Sequence, residues 1–157
     1  MFNFYAAYII NLMRKIYHLV LIDTNFLMMP LYKQVNPFEG IEEALELKPR
    51  YAVLSSSIEE LKRIFLEEES LKERKAARFG LELIKKCNIE IIDDTKLPGA
   101  TVDDKIIEFV KKNMKKKCFK LIVATNDREL KRKLRTLGIP VIMYRERDHR
   151  IWLDGEI

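Results

Sequence analysis

Five short apolar runs, each rich in β-branched residues and separated from the next by a helical pattern, limit what this chain can fold into. They cover residues 18–22, 51–54, 89–92, 119–124 and 140–144. Strands joined through helices return to the same end of a sheet, so they lie mostly parallel with helices on both faces. The pattern predicts an α/β fold, a three-layer α/β/α sandwich with a five-stranded, mostly parallel sheet. The doubly wound order 3-2-1-4-5 is the expected arrangement.

The segments between the runs support this reading. Residues 57–69 follow a serine cluster able to cap a helix, and 70–87 are rich in Leu, Lys, Glu, Arg and Ala. Residues 102–116 carry Ile106, Ile107, Val110 and Met114 at helical spacing. Residues 127–137 do the same with Leu130, Leu134 and Leu137, then stop at Gly138 with Pro140 beyond. Asn36-Pro37 and Leu97-Pro98-Gly99 mark loops.

The domain is expected over 18–157, preceded by an extension over 1–17 that is helical in character. The extension is apolar through Leu12, but Arg14 and Lys15 follow the apolar stretch, whereas a signal peptide carries its charge before it. It is also too short to span a bilayer, so no membrane partner is expected. A docked helix or an upstream start codon, with Met13 an alternative start, accounts for it. Cys87 and Cys118 are isolated, with no metal-type spacing, and read as buried or bystander thiols in a reducing cytoplasm. Formal charge is +5 and the sequence pI is 9.1, a balance that favours polyanionic partners.

Acids recur where one end of a parallel sheet gathers them. Asp23 follows the first run, at the edge where open α/β sheets bind ligands; it is equally suited to cap the helix opening at Asn25-Phe26. Asp127 opens the helix after the fourth run and shares a face with Leu130 and Leu134. There an Asn126–Glu129 pair offers a capping box and the acid suits the helix dipole. Asp103 lies three and four residues before Ile106 and Ile107, on the buried face, while Asp104 is rotated by about 100° and stands three residues after Thr101. Asp103 is therefore the candidate ligand and Asp104 the candidate cap. Glu59 and Glu60 sit on opposite flanks of their helix, and periodicity does not choose between them. Should these acids converge, their repulsion calls for a divalent cation. Oxygen donors without His or Cys suit Mg²⁺ or Mn²⁺ rather than zinc.

Ile22-Asp-Thr-Asn-Phe-Leu27, Glu60-Leu61, Val102-Asp-Asp-Lys-Ile106 and Val123-Ala-Thr-Asn-Asp127 together resemble the successive motifs of PIN-domain nucleases. The continuation Arg128-Glu-Leu-Lys-Arg-Lys-Leu-Arg135, then Gly138-Ile-Pro-Val-Ile-Met-Tyr144, looks closer to the ribosomal-RNA-processing branch than to the toxin branch. The resemblance covers about residues 18–145 and implies metal-dependent endonucleolytic cleavage of single-stranded RNA. It implies Asp23, Glu60, Asp103 and Asp127 as the acidic site, chooses Glu60 over Glu59, and matches Thr125 and Asn25 to the polar neighbours of the fourth and first acids. A ribosomal-RNA precursor is the expected substrate. A toxin held by an antitoxin, or a silent RNA-binding scaffold, is the alternative. A ribosome-assembly partner and a homodimer built on the apolar N-terminal segment also belong to this reading.

Phosphate contacts are expected from Arg128, Lys131, Arg132, Lys133 and Arg135, whose helix begins at the acids. A second run, Lys111-Lys112 with Lys115-Lys116-Lys117, is either a further contact or a solvated face. Arg145, Arg147 and Arg150 form a third group. Tyr32, Phe38 and Trp152 are candidates for base stacking or for core packing. Two other chemistries fit the sequence less well. A phosphotransferase of the haloacid dehalogenase type needs a second acid where Asn25 stands, and a phospho-receiver domain needs an acidic pair where Asp23 stands alone.

Overall fold

The computed structural model describes residues 3–6, 8, 9 and 16–157, so the extension expected over 1–17 falls largely outside the described residues. One sheet runs in the order β3-β2-β1-β4-β5-β6. Its strands are β1 (Tyr17–Ile22), β2 (Arg50–Leu54), β3 (Glu90–Ile92), β4 (Phe119–Ala124), β5 (Val141–Arg145) and β6 (Arg150–Asp154). The first five are parallel in the expected order.

The sixth corrects the expectation of five strands. It returns antiparallel to β5, with Arg145 opposite Arg150 and Val141 opposite Asp154. Its strand character depends on that pairing and on a close approach to α2 (Pro37–Leu45). Gly40 of α2 leaves room for Ile151: a Cβ there would meet the Ile151 Cδ1 at 2.5 Å.

Period-two alternation divides the core between two faces. Leu19 and Leu21 of β1 join Leu121 and Val123 of β4 under α5 (Val102–Asn113) and α6 (Arg128–Thr136), meeting Ile106, Val110, Leu130 and Leu134. Val20 and Ile22 join Val53 and Ile122 on the other face. There they lie under α1 (Thr24–Lys33), α2, α3 (Ser55–Glu67) and α4 (Leu71–Lys86), whose Phe26, Ile41, Leu61 and Ala77 are fully buried. Each large side chain removed from water in this way contributes roughly 1.5–3 kcal/mol, so the central strands are the most firmly placed part of the molecule. Among the described residues, no helix is long and apolar enough to cross a membrane.

Candidate active site

The register of β1 against β4 builds the site. Ile22 pairs with Ala124, and the amide of Asp23 donates to the Ala124 carbonyl at 2.9 Å, so the residues that follow both strands emerge side by side. The Thr125 hydroxyl donates to Asp23 Oδ2 at 2.7 Å, and the Thr24 amide donates to Asp23 Oδ1 at 2.8 Å. Asp23 is the N-cap of α1 and is 2% exposed, so capping and membership of the acid group coexist in one residue.

Threonines link it to two more acids. The Thr24 hydroxyl donates to Glu60 Oε2 at 2.9 Å, while Glu59 is exposed and pairs with Lys62. Thr125, fully buried, also accepts the Asp127 amide at 3.1 Å. Asp127, rather than the expected Asn126, caps α6: its Oδ1 accepts the amides of Glu129 and Leu130 at 2.8 and 3.0 Å. Asn126 is used otherwise. Its amide donates to Asn25 Oδ1, its Oδ1 accepts the Tyr144 amide, and its Nδ2 lies 3.5 Å from the Met29 sulfur. Sequence reasoning did not single out Thr24, and it singled out Asn126 only as a helix cap. Their position between motif residues was the available signal.

Asp103 and Asp104 divide as expected. Thr101 and Asp104 form a capping box at the start of α5, leaving Asp103 half-buried toward Asp127. The helix itself ends at Asn113 rather than near residue 116.

Charge is uncompensated here. None of Asp23, Glu60, Asp103 and Asp127 forms an ion pair among the described residues. Burial pushes the Asp23 carboxyl up to about 7, the Thr125 hydroxyl pulls it back, and the Asp103 and Glu60 charges add to the rise. Burial likewise pushes Asp103 up to about 6, followed by the charges of Asp127 and Glu60. Among the described residues, no three His, Cys, Asp or Glu side chains already stand in ion-holding positions. The donor chemistry nonetheless fits a hard divalent cation: the acids offer oxygen alone, and positive charge is what they lack.

The basic helix is not uniform. Lys131 and Arg135 lie 2.9 and 3.8 Å from the Asp154 carboxylate of β6, and Arg135 also donates to the Ile139 carbonyl. Arg128 and Arg132, one turn apart and exposed, have no acid within ion-pair distance among the described residues. The lysines at 111–117 begin about 12 Å farther along α5 than Asp103 and are exposed. In the third basic group, Arg145 and Arg150 lie against Asp148. The three aromatic candidates are already engaged. Phe38 packs edge-on to Tyr51, Lys72 lies over Tyr32, and Trp152 carries Lys131 and Arg145 over its ring. Both cysteines are exposed rather than buried.

A family profile described as a PIN like domain matches residues 20–147. The chain belongs to this family. Among relatives of this PIN-like domain, ribonuclease VapC4 of Methanocaldococcus jannaschii is 35% identical over 127 residues, 81% of this chain and 90% of that protein. The rRNA-processing protein fcf1 of Schizosaccharomyces pombe is 32% identical over 127 residues, 80% of this chain but 58% of its own length. The PIN domain endonuclease Utp24, a solved structure, superposes with a TM-score of 0.68 at 28% identity, covering 88% of this chain and 92% of the other.

Proposed function

We propose that this PIN-like domain is an endoribonuclease, dependent on Mg²⁺ or Mn²⁺, that cleaves single-stranded RNA in a reducing cytoplasm. The observation that carries the reading is the gathering of Asp23, Glu60 and Asp127 through Thr24 and Thr125, with Asp103 beside them, at one sheet edge without a counter-ion. When bound, a divalent cation supplies activation of water and neutralisation of charge on the phosphodiester. The chain's own residues do the rest. Thr125 spaces Asp23 from Asp127 by donating to one and accepting from the other. Thr24 holds Glu60 toward Asp23. Arg128 and Arg132 take the phosphates flanking the scissile bond, and the exposed Asn25 lines the same edge.

A ribosomal-RNA precursor is the favoured substrate, in line with the rRNA-processing relative and with the overlay on an endonuclease fold. The toxin reading, with an antitoxin as partner, is favoured by the fuller coverage of the VapC-type relative. RNA crosslinked to the protein in its own cell separates the two. The common chemistry is tested with Asp23→Asn, which should lower cleavage of single-stranded RNA in Mn²⁺ by at least about 100-fold, removing the acid the others surround. Cleavage unchanged by that substitution rejects the assignment and leaves an RNA-binding scaffold.

A further inference from the structure

Asp94 stands apart from the four acids, two residues beyond β3, and is 1% exposed. We propose that Asp94 is a positioning residue for the acidic site, tying the start of α3, which carries Glu60, to α5, which carries Asp103. The proposal rests on the reading of those acids as the cleaving group.

The need arises in α3. A helix opens with amides that lack partners inside it. Helices α1, α2, α4, α5 and α6 meet that need with their own Asp23, Asn36, Ser70, Thr101 or Asp127, but α3 follows Leu54, which offers no side-chain bond. Asp94 supplies it from another strand end. Its Oδ2 accepts the Ser56 amide at 3.2 Å, and its Oδ1 accepts the hydroxyls of Ser55 and Ser56 at 2.7 and 2.9 Å. Its own amide donates back to the Ser55 hydroxyl at 3.1 Å. A carboxylate at a helix start is further favoured by the helix dipole. Glu60 follows within about a turn and a half of these serines, so the placement of the helix end is the placement of Glu60.

The second attachment is to α5. Lys105, 19% exposed at its side chain, holds its ammonium 3.8 Å from Asp94 Oδ1. Lys105 is two residues from Asp103, and it lines a groove of about 740 Å³ together with Glu60 and Arg63. An ammonium in that groove without Asp94 would be free to neutralise the very acids that a divalent cation must find uncompensated. Asp94 therefore does two things at once: it seats one acid-bearing helix and keeps the lysine of the other occupied. Burial pushes its carboxyl up, but the Ser55 and Ser56 hydroxyls, the Ser56 amide and Lys105 together hold it below the usual carboxylate range.

The test uses the full chain with Asp94→Ala, Asp94→Asn and, as a control in the same helical turn, Ser57→Ala. Ser57 Oγ is buried without a hydrogen-bond partner among the described residues. Three quantities are measured: Mn²⁺ binding by calorimetry, kcat and KM on single-stranded RNA, and backbone amide NMR spectra. Asp94→Ala should weaken Mn²⁺ binding and lower kcat by roughly 10- to 100-fold each, with little change in KM. The amide signals of Glu60 and Asp103 should move while those of Asp23 and Asp127 stay. Asp94→Asn, which keeps an acceptor for the serines but loses the charge facing Lys105, should show a smaller loss, and Ser57→Ala none. Wild-type kcat, Mn²⁺ affinity and amide signals in Asp94→Ala overturn the proposal, as does a loss that moves all four acids and KM alike. Should Asp94→Ala not fold, Asp94→Asn and the Ser55→Ala/Ser56→Ala pair decide by the same readouts. A wild-type chain that neither binds Mn²⁺ nor cuts RNA defeats the nuclease reading, and the amide signals still decide the tie.

Discussion

Asp23 and Asp94 are both buried aspartates just beyond a parallel strand, yet their carboxyls shift in opposite directions. Asp23, at the centre of the sheet, has two donors and faces Asp103 and Glu60. Asp94, toward the β3 edge, has two hydroxyls, an amide and an ammonium. Both are closed to solvent, but Asp23 lies deeper in the protein and faces other acids, whereas donors outweigh burial at Asp94. A chain that surrounds one acid with donors and another with acids has built a strut in the first place and an unbalanced charge in the second.

The largest expected effect is on stability against pH without metal. Asp23 binds its proton more tightly in the folded chain, at about 7, than at its ordinary value of 3.8. Its contribution is fully present below about pH 4 and falls away as pH rises through about 7. Asp23→Asn should remove that decline and leave the metal-free protein more stable at pH 8 by on the order of 3 kcal/mol, measured by denaturant unfolding. Asp94 has the reverse sign: its stabilisation is present above the usual carboxylate range and is lost as pH falls through its lowered pKa, and Asp94→Asn should destabilise at neutral pH. The contrast collapses if both asparagine variants shift stability the same way.

A smaller effect sharpens it from the Asp23 side. Thr125→Val removes the hydroxyl that holds the Asp23 carboxyl down, so the Asp23 midpoint should rise by about one pH unit in a carboxyl NMR titration. A midpoint that stays put would mean that the Thr125 hydroxyl does not hold it. The smallest effect concerns the basic helix, where the same rule of neighbours applies. Arg128→Gln with Arg132→Gln should flatten the slope of log affinity for single-stranded RNA against log salt by about 1.4, with little change in melting temperature. Lys131→Gln with Arg135→Gln should lower the melting temperature, through loss of Asp154, and leave the slope nearly unchanged.

Much of this was legible because it depends on local periodicity. The strands, the inward side of Asp103, and the Thr101–Asp104 cap follow from spacings of two and 3.6 residues, and the strand order from the doubly wound pattern of such sheets. The choice of Glu60 over Glu59 does not. It needed the resemblance, and in the fold it depends on Thr24, thirty-six positions away. Strand β6 was missed because Arg150–Asp154 is a short run behind the basic group Arg145, Arg147 and Arg150, and has no partner or seat until β5 and Gly40 supply them. Asn36-Pro37 marked a loop in the sequence but serves as the cap and first residue of α2. The five cations of α6 looked equivalent, and only the return of Asp154 sets Lys131 and Arg135 apart. Asp94 also follows a strand, but nothing local says that two serines at the start of α3 will meet it.

The bond between Thr125 and Asp23 joins residues 102 positions apart in the chain. Its consequence is temporal. A polypeptide still emerging from the ribosome has Asp23 early and Thr125 and Asp127 late, and β1 has no β4 to set the register until most of the domain has been made. The four acids therefore meet only in a nearly finished molecule, and on the proposed reading a growing chain has no complete site with which to cut the RNA around it.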